Sequence, residues 1–136
     1  MRAEYVEAVL EVAELIPAGQ VLSYGDIAAL LESGGPRQVG SVMSHHGSAV
    51  AWWRVIRAGG QPPQFHDDAA LVHYREEATA LRGETGGEHP SWRVDMAVAR
   101  WNPAESDFLL IDGIAARLHA GEAGPEMSEP RDGLQA

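Results

Sequence analysis

The stretch SYGDIAALLESGGPRQVGSVM, from Ser23 to Met43, predicts two short helices joined by a glycine turn. Ser23 is a typical helix N-cap, and Asp26 three residues later completes a variant of the capping box. The turn Gly34–Pro36 ends the first helix, and a second helix is expected from Arg37 to about His46. Such a pair is a helix-turn-helix, which binds DNA in many proteins but also occurs in ordinary helical cores.

The segments around this pair predict a mainly α-helical protein, a winged helix-turn-helix with a small β-wing. A helix is expected over residues 3–16, where apolar side chains recur at helical spacing opposite four glutamates. Residues 52–57 have the composition of a strand and precede a glycine turn, so a wing is expected there. Further helices are expected from an aspartate cap at residue 67 or 68 to about 81, and over residues 103–118.

The length and composition predict one modest core with an acidic, partly disordered C-terminal extension. We expect a winged-helix DNA-binding domain at 1–82, an extension packed on it at 83–120, and a disordered tail at 121–136 that is rich in glycine, proline and glutamate. No apolar run reaches the ~18 residues that cross a membrane. The N-terminus is amphipathic rather than typical of a secretory signal. A cytoplasmic monomer, associated with the nucleoid when bound to DNA, is expected.

The charge distribution places any anionic ligand in the middle of the chain. The net charge of −10 argues against broad, charge-driven DNA binding. Residues 20–66, however, carry three arginines and two acidic residues, whereas residues 67–136 carry six arginines and fourteen acidic residues. The sequence has no cysteine, which excludes disulfides, thiolate metal sites and a cysteine nucleophile. The histidines lack the spacing of metal ligands, so no metal and no other cofactor is expected.

Three sequence blocks carry a resemblance to a known family. They are IPAGQVLSYGDIAALL, GGPRQVGSVM and AWWRVIRAGG, and they follow one another between Ile16 and Gly60. Together they resemble the DNA-binding domain of O6-alkylguanine-DNA alkyltransferases, which take an alkyl group from guanine onto the cysteine of a Pro-Cys-His-Arg-Val motif. Residues 51–55, AWWRV, match that motif with Trp52 at the nucleophile position. Tryptophan there is the hallmark of the alkyltransferase-like proteins, which bind the same lesions without removing the alkyl group.

The resemblance implies DNA-contacting roles for four residues of the helix pair. Arg37 would enter the base stack through the minor groove and fill the space of a flipped nucleotide. Tyr24 would crowd the neighbouring phosphate and help to rotate that nucleotide outwards. Gly40 and Ser41 would let the recognition helix approach the DNA backbone closely, although their small size could equally serve helix packing.

The resemblance also implies a lesion pocket beyond the helix pair. Trp52 would form a wall of this pocket, and Arg57 at the rim would touch a phosphate or the lesion. Arg54 and Trp53 would support the structure, with Arg54 tying its segment to the fold by hydrogen bonds. Trp53 replaces the histidine that carries protons in the active enzymes, and Ala51 replaces the proline of their motif.

The sequence therefore predicts a protein that is not an enzyme. It would recognise O6-alkylguanine in double-stranded DNA by base flipping, and the resemblance implies that it flags the lesion for nucleotide excision repair proteins. The alternative is a winged-helix transcription regulator that reads undamaged DNA. That alternative explains the helix pair but not the AWWRV block.

Overall fold

The computed structural model describes residues 2–88 and 90–128. Helices predominate within these residues, as the sequence predicted. The elements in chain order are α1 (Ala3–Leu15), β1 (Leu22–Ser23), α2 (Tyr24–Leu31), α3 (Pro36–His46), β2 (Val55–Ile56), α4 (Asp67–Glu77), β3 (Leu81–Glu84), β4 (Ser91–Val94), α5 (Met96–Ala99) and α6 (Glu105–Ser128). None of the helices in this described part is long and apolar enough to cross a membrane.

The predicted helix pair is confirmed as α2 and α3. The backbone N–H of Asp26 donates to Ser23 Oγ at 3.0 Å, and the N–H of Ser23 donates to Asp26 Oδ2 at 2.9 Å, so the capping box is complete. Pro36 occupies the first turn of α3, where its missing N–H costs no hydrogen bond. The two helices pack on each other through buried aliphatic side chains such as Ile27 and Val39.

The main core lies between the helix pair and helices α1 and α6. Val9 and Val12 of α1 and Ile111 of α6 are completely buried in one cluster with the side chains of α2 and α3. The expected boundary between residues 82 and 83 falls inside β3, which pairs with β4 in an antiparallel register from Leu81↔Val94 to Glu84↔Ser91.

Helix α6 is longer than the sequence predicted. It was expected to end at Leu118, with a disordered tail from residue 121, but residues 121–128 continue the helix. This segment contains Gly121, Gly124 and Pro125, which all have low helix propensity, so local propensity does not account for the continuation. The rest of the predicted tail, residues 129–136, lies outside the described residues.

The predicted wing is not formed by residues 52–57. Trp52–Arg54 form a 3-10 turn, and only β2 is a strand, paired in parallel with β1. Both residues of β2 are completely buried, so this strand belongs to the core and not to a projecting wing. The antiparallel hairpin is formed instead by β3 and β4.

Helix α4 also differs from its prediction at both ends. Its N-cap is His66, which makes no side-chain capping bond, and not Asp67 or Asp68, which lie in the first turn and favour the helix dipole there. The helix ends at Glu77 because Ala78 adopts a left-handed conformation with φ +57°.

Candidate nucleic-acid interface

A cavity of about 550 Å³ opens between the helix pair, the Trp52–Arg54 turn and the loop after β2. Four of the eight residues predicted for the site lie on its wall: Tyr24, Gly40, Trp52 and Arg57. Its other lining residues are Met43, Ser44, Gly47, Ser48, Pro63, Gln64, Phe65 and His66. The fold thus joins all three sequence blocks around one space.

Tyr24 and Gly40 form the helical side of the cavity as a packed pair. A Cβ atom placed on Gly40 would lie 3.6 Å from the ring of Tyr24, which is ordinary van der Waals contact. Burial raises the pKa of the Tyr24 phenol, and the nearby Arg57 offsets this only in part, so the phenol stays neutral and can donate a hydrogen bond. Gly40 therefore faces a tyrosine ring in this structure.

Arg37 and Ser41 lie on α3 but do not line the cavity. Arg37 is exposed in the first turn of the helix, where its cation opposes the helix dipole. Ser41 is half-buried, and its carbonyl oxygen lies 2.9 Å from His45 Nδ1. Since Gly40 and Met43 of the same helix do reach the cavity, Arg37 sits at the end of a surface that continues into it.

The two adjacent tryptophans have different surroundings. Their rings meet edge to face, with centroids 5.6 Å apart at 87°. Trp52 lines the cavity, where its ring centroid lies 5.5 Å from that of His66. Trp53 instead stacks flat on His73 at 3.5 Å and donates its Nε1–H to Glu77 at 3.0 Å. Both rings are half-buried, but that of Trp52 faces the cavity, whereas that of Trp53 is engaged by contacts within the protein.

Glu77 is the centre of the hydrogen-bond network that holds this turn. Arg54 donates to it through Nε at 3.1 Å and also forms an ion pair with it through Nη2, while the backbone N–H of Gly19 donates at 2.9 Å. Arg54 Nη1 reaches the carbonyl of Ile16 at 3.0 Å. Burial alone would raise the pKa of Glu77, but the donors from Arg54, Gly19 and Trp53 outweigh it and hold that pKa below its usual value. The network joins the turn to α1 and α4.

Arg57 lines the cavity with its guanidinium turned to the protein backbone. Its Nε and Nη2 donate to the carbonyl of Pro62 at 3.1 and 2.9 Å. The side chain is half-buried.

Two of the eight cavity residues that were not predicted are aromatic, and the acid beneath the turn was also missed. Phe65 and Glu77 were given no role, and His66 was considered only among the histidines that lack the spacing of metal ligands. A signal for Phe65 existed, because a large aromatic residue between a proline pair and two aspartates is unusual in a solvated loop. Glu77 left no such signal, because it pairs with Arg54 only through the tertiary fold.

A second hollow, of about 230 Å³, lies between α1 and α6 and has the opposite character. It is lined by Glu4, Glu7 and Glu11, with Arg117 on its other side. Arg117 is already paired with Glu11 at 2.9 Å. Three carboxylates repel phosphate, so a nucleic acid is disfavoured on this face.

The chain matches known proteins over most of its length. A family described as "6-O-methylguanine DNA methyltransferase, DNA binding domain" matches residues 4–85. The "DNA base-flipping protein" of Escherichia coli strain K12 and that of Shigella flexneri are each 31% identical to this chain over 103 residues, which are 72% of this chain and 74% of theirs.

Two solved structures share the fold. One is S. pombe Atl1 in complex with damaged DNA containing O6-carboxymethylguanine, with a TM-score of 0.63 and 27% identity. The other, S. pombe ATL in complex with DNA, has a TM-score of 0.61 and 26% identity, and each match covers 76% of this chain and 100% of the other. The resemblance drawn from the three sequence blocks is thereby confirmed. The chain belongs to the family of the 6-O-methylguanine DNA methyltransferase DNA-binding domain, and the relatives it resembles include alkyltransferase-like proteins.

Proposed function

We propose that this protein recognises O6-alkylguanine in double-stranded DNA by flipping the modified nucleotide into the cavity beside Trp52, and that it leaves the alkyl group in place. The observation that carries the proposal is the cavity itself, which adjoins α3 and presents the ring of Trp52. Its volume of about 550 Å³ lies within the range of small-ligand pockets. An aromatic wall suits a flipped base because every base has a face that can stack.

Residues of the helix pair would stabilise the flipped state of the nucleotide. Extracting a base costs a few kcal/mol of stacking and pairing, and something must fill the gap. The exposed Arg37 is the group proposed to enter the stack, since a guanidinium plane stacks on bases and donates hydrogen bonds to the unpaired partner. Tyr24 is proposed to press on the phosphate beside the flipped nucleotide, with Gly40 and Ser41 close to the backbone. In this arrangement the β3–β4 hairpin takes the place of the wing.

The absence of a reaction is part of the proposal. The sequence holds no cysteine, and the indole of Trp52 is not a nucleophile of the kind that accepts alkyl groups. Trp53 donates its only ring N–H to Glu77 and has no lone pair to take a proton from a neighbour. The acceptor of an alkyl transfer is therefore missing, and the side chain at the position of the proton-carrying histidine cannot take over that role. Mass spectrometry after incubation with methylated DNA should show no added methylene, and any such gain contradicts this part.

A titration tests the binding proposal directly. Duplexes of one sequence, with and without a single O6-methylguanine, are titrated with the protein and followed by anisotropy. We expect tighter binding of the modified duplex, with one protein per lesion because a monomer is proposed. Equal affinity for the two duplexes would overturn lesion recognition and favour the transcription regulator instead.

The bound complex is further proposed to mark the lesion for nucleotide excision repair proteins. A held, extrahelical base and a distorted duplex offer those proteins a larger signal than a small alkyl group does. Adding this protein to a reconstituted excision system should raise incision of the O6-alkylguanine duplex. An unchanged or lower rate of incision would remove this part while leaving lesion binding intact.

A further inference from the structure

The loop that follows β2, residues 57–66, is fixed at its base by backbone contacts. The N–H of Gly60 donates to the carbonyl of Arg57 at 3.0 Å, and the N–H of Val94 donates to the carbonyl of Gly60 at 2.9 Å. Gly60 has φ +93°, and a Cβ atom there would collide with the backbone of Val94. The start of the loop is therefore held tightly against β4.

Arg57 extends this fixation into the loop. Its backbone N–H donates to the carbonyl of Gln61 at 3.1 Å, and two guanidinium nitrogens donate to the carbonyl of Pro62. Pro62 is buried and Arg57 half-buried, so this contact is partly shielded from water. A guanidinium so engaged has fewer donors left for a phosphate of DNA.

The far end of the loop carries two aromatic side chains at the cavity. The ring of His66 lies against Trp52, and the backbone N–H of His66 donates to the carbonyl of Pro63 at 3.1 Å. Phe65 lines the same cavity but is 87% exposed, and its φ of +72° is unfavourable for a side chain other than glycine. A partner that covers the ring of Phe65 would be bound favourably, because it removes apolar surface from water.

We propose that Arg57 is a positioning residue, which holds residues 61–66 through Pro62 so that Phe65 can stack on the flipped base. Arg57 itself contacts neither phosphate nor lesion. This inference rests on the proposed function. It assigns to Phe65, at the rim of the same cavity, the contact that favours a modified base over an unmodified one. The strain at Phe65 is kept in the free protein because the loop is pinned on both sides of it, at Pro62 and at His66.

Three variants test the inference: Arg57→Ala, Phe65→Ala and the double variant. Each single change should reduce the preference for the O6-methylguanine duplex over the undamaged duplex about tenfold, the size of one lost stacking contact. If Arg57 acts through Phe65, the double variant should lose no more than either single variant. Val98→Ala, at another exposed apolar residue on α5, is the matched control and should leave the preference unchanged. Multiplied losses in the double variant would overturn the inference.

The salt dependence of binding separates positioning from a phosphate contact. Arg57→Ala should leave the slope of log K against log salt unchanged, whereas removal of one phosphate contact lowers it by about 0.9. Arg57→Lys keeps the charge but lacks the paired donors, so it should not restore the preference. A reduced slope for Arg57→Ala, or full rescue by lysine, would contradict the inference.

The same titration distinguishes failure of the proposed function from failure of the inference about the loop. If the wild-type protein itself binds both duplexes equally, the proposed function fails. If the wild type prefers the lesion and Phe65→Ala prefers it to the same degree, only the inference about the loop fails. Phe65 is exposed and its replacement leaves the core untouched, so misfolding cannot mimic either outcome.

Discussion

The Trp52–Arg54 turn and the loop at residues 61–66 line the same cavity but are held in different ways. The turn is cross-linked by side chains: Arg54 reaches both α1 and α4, and Trp53 is stacked and hydrogen-bonded. The loop rests on a few backbone bonds and one arginine, and it carries the exposed Phe65. One wall is rigid before any ligand arrives, whereas the other has a side chain still to be covered.

This difference suggests a division of labour in binding. A fixed wall lowers the ordering cost of association because nothing there must be immobilised. An exposed residue at the rim contributes binding free energy only when a ligand covers it. Ligands that cover it to different extents should therefore bind with different affinities. Changes to the turn should therefore act on folding, and changes to the loop and to α3 should act on binding.

The largest effect is expected from Arg54→Ala. Arg54 and Glu77 form an ion pair whose side chains are only 19% and 12% exposed, and removal of the arginine leaves a carboxylate without its main partner. Breaking such a pair costs about 3–5 kcal/mol. The free energy of unfolding is measured by urea denaturation. Arg100→Ala, which removes an exposed pair with Asp26, is the control and should cost less than about 1 kcal/mol. Similar losses for both would refute the rigid turn.

The next largest effect is expected from Gly60→Ala, at the junction between strand and loop. Its positive φ disfavours any other residue, and the new methyl group would displace the backbone of β4, so we expect a loss of about 2–4 kcal/mol in unfolding free energy. Gly86→Ala is the matched control, because nothing lies within 4 Å of the added Cβ and no positive φ is required. A neutral Gly60→Ala would mean that the loop base is free to move.

A smaller effect, confined to binding, is expected from Arg37→Ala. If the guanidinium fills the gap left by the flipped base, the change should weaken lesion binding by about 1–3 kcal/mol, the range of one stacking contact. The unfolding free energy should stay the same because Arg37 is exposed. Arg117→Ala, at an exposed position on the acidic face of α6, is the control and should leave both quantities unchanged. Unchanged lesion affinity would remove Arg37 from the mechanism.

Local signals explain what could be predicted from the sequence. The capping box at Ser23 and the glycine turn at 34–36 act over three or four residues, so the helix pair was visible without tertiary information. The family motif marked Trp52 as a cavity residue for the same reason, since adjacent residues carry it. In both places the local sequence preference and the final fold point to the same structure.

Long-range contacts explain what could not be predicted. Residues 55–56 were read as part of a wing, but their partner is β1, more than thirty residues earlier. Glu77 meets Arg54 across 23 positions, and nothing in either segment indicates the other. The conformation of Phe65 depends on the hydrogen bonds from Arg57 to Pro62 and from Val94 of β4 to Gly60. The composition of the loop does not reveal these bonds.

The smallest effect is expected from acid, and it tests the turn through Glu77. Its pKa in the folded protein is depressed, because the donors from Arg54, Gly19 and Trp53 outweigh the opposing effect of burial. The stabilisation is therefore complete above the ordinary glutamate pKa of 4.5 and is lost as the pH falls through the lower folded value. Between pH 7 and pH 3.5 the melting temperature of the wild type should fall further than that of Glu77→Gln, which has no proton to gain there. Parallel declines would show that the carboxylate is not held preferentially in its ionised form, and the rigid wall would need another explanation.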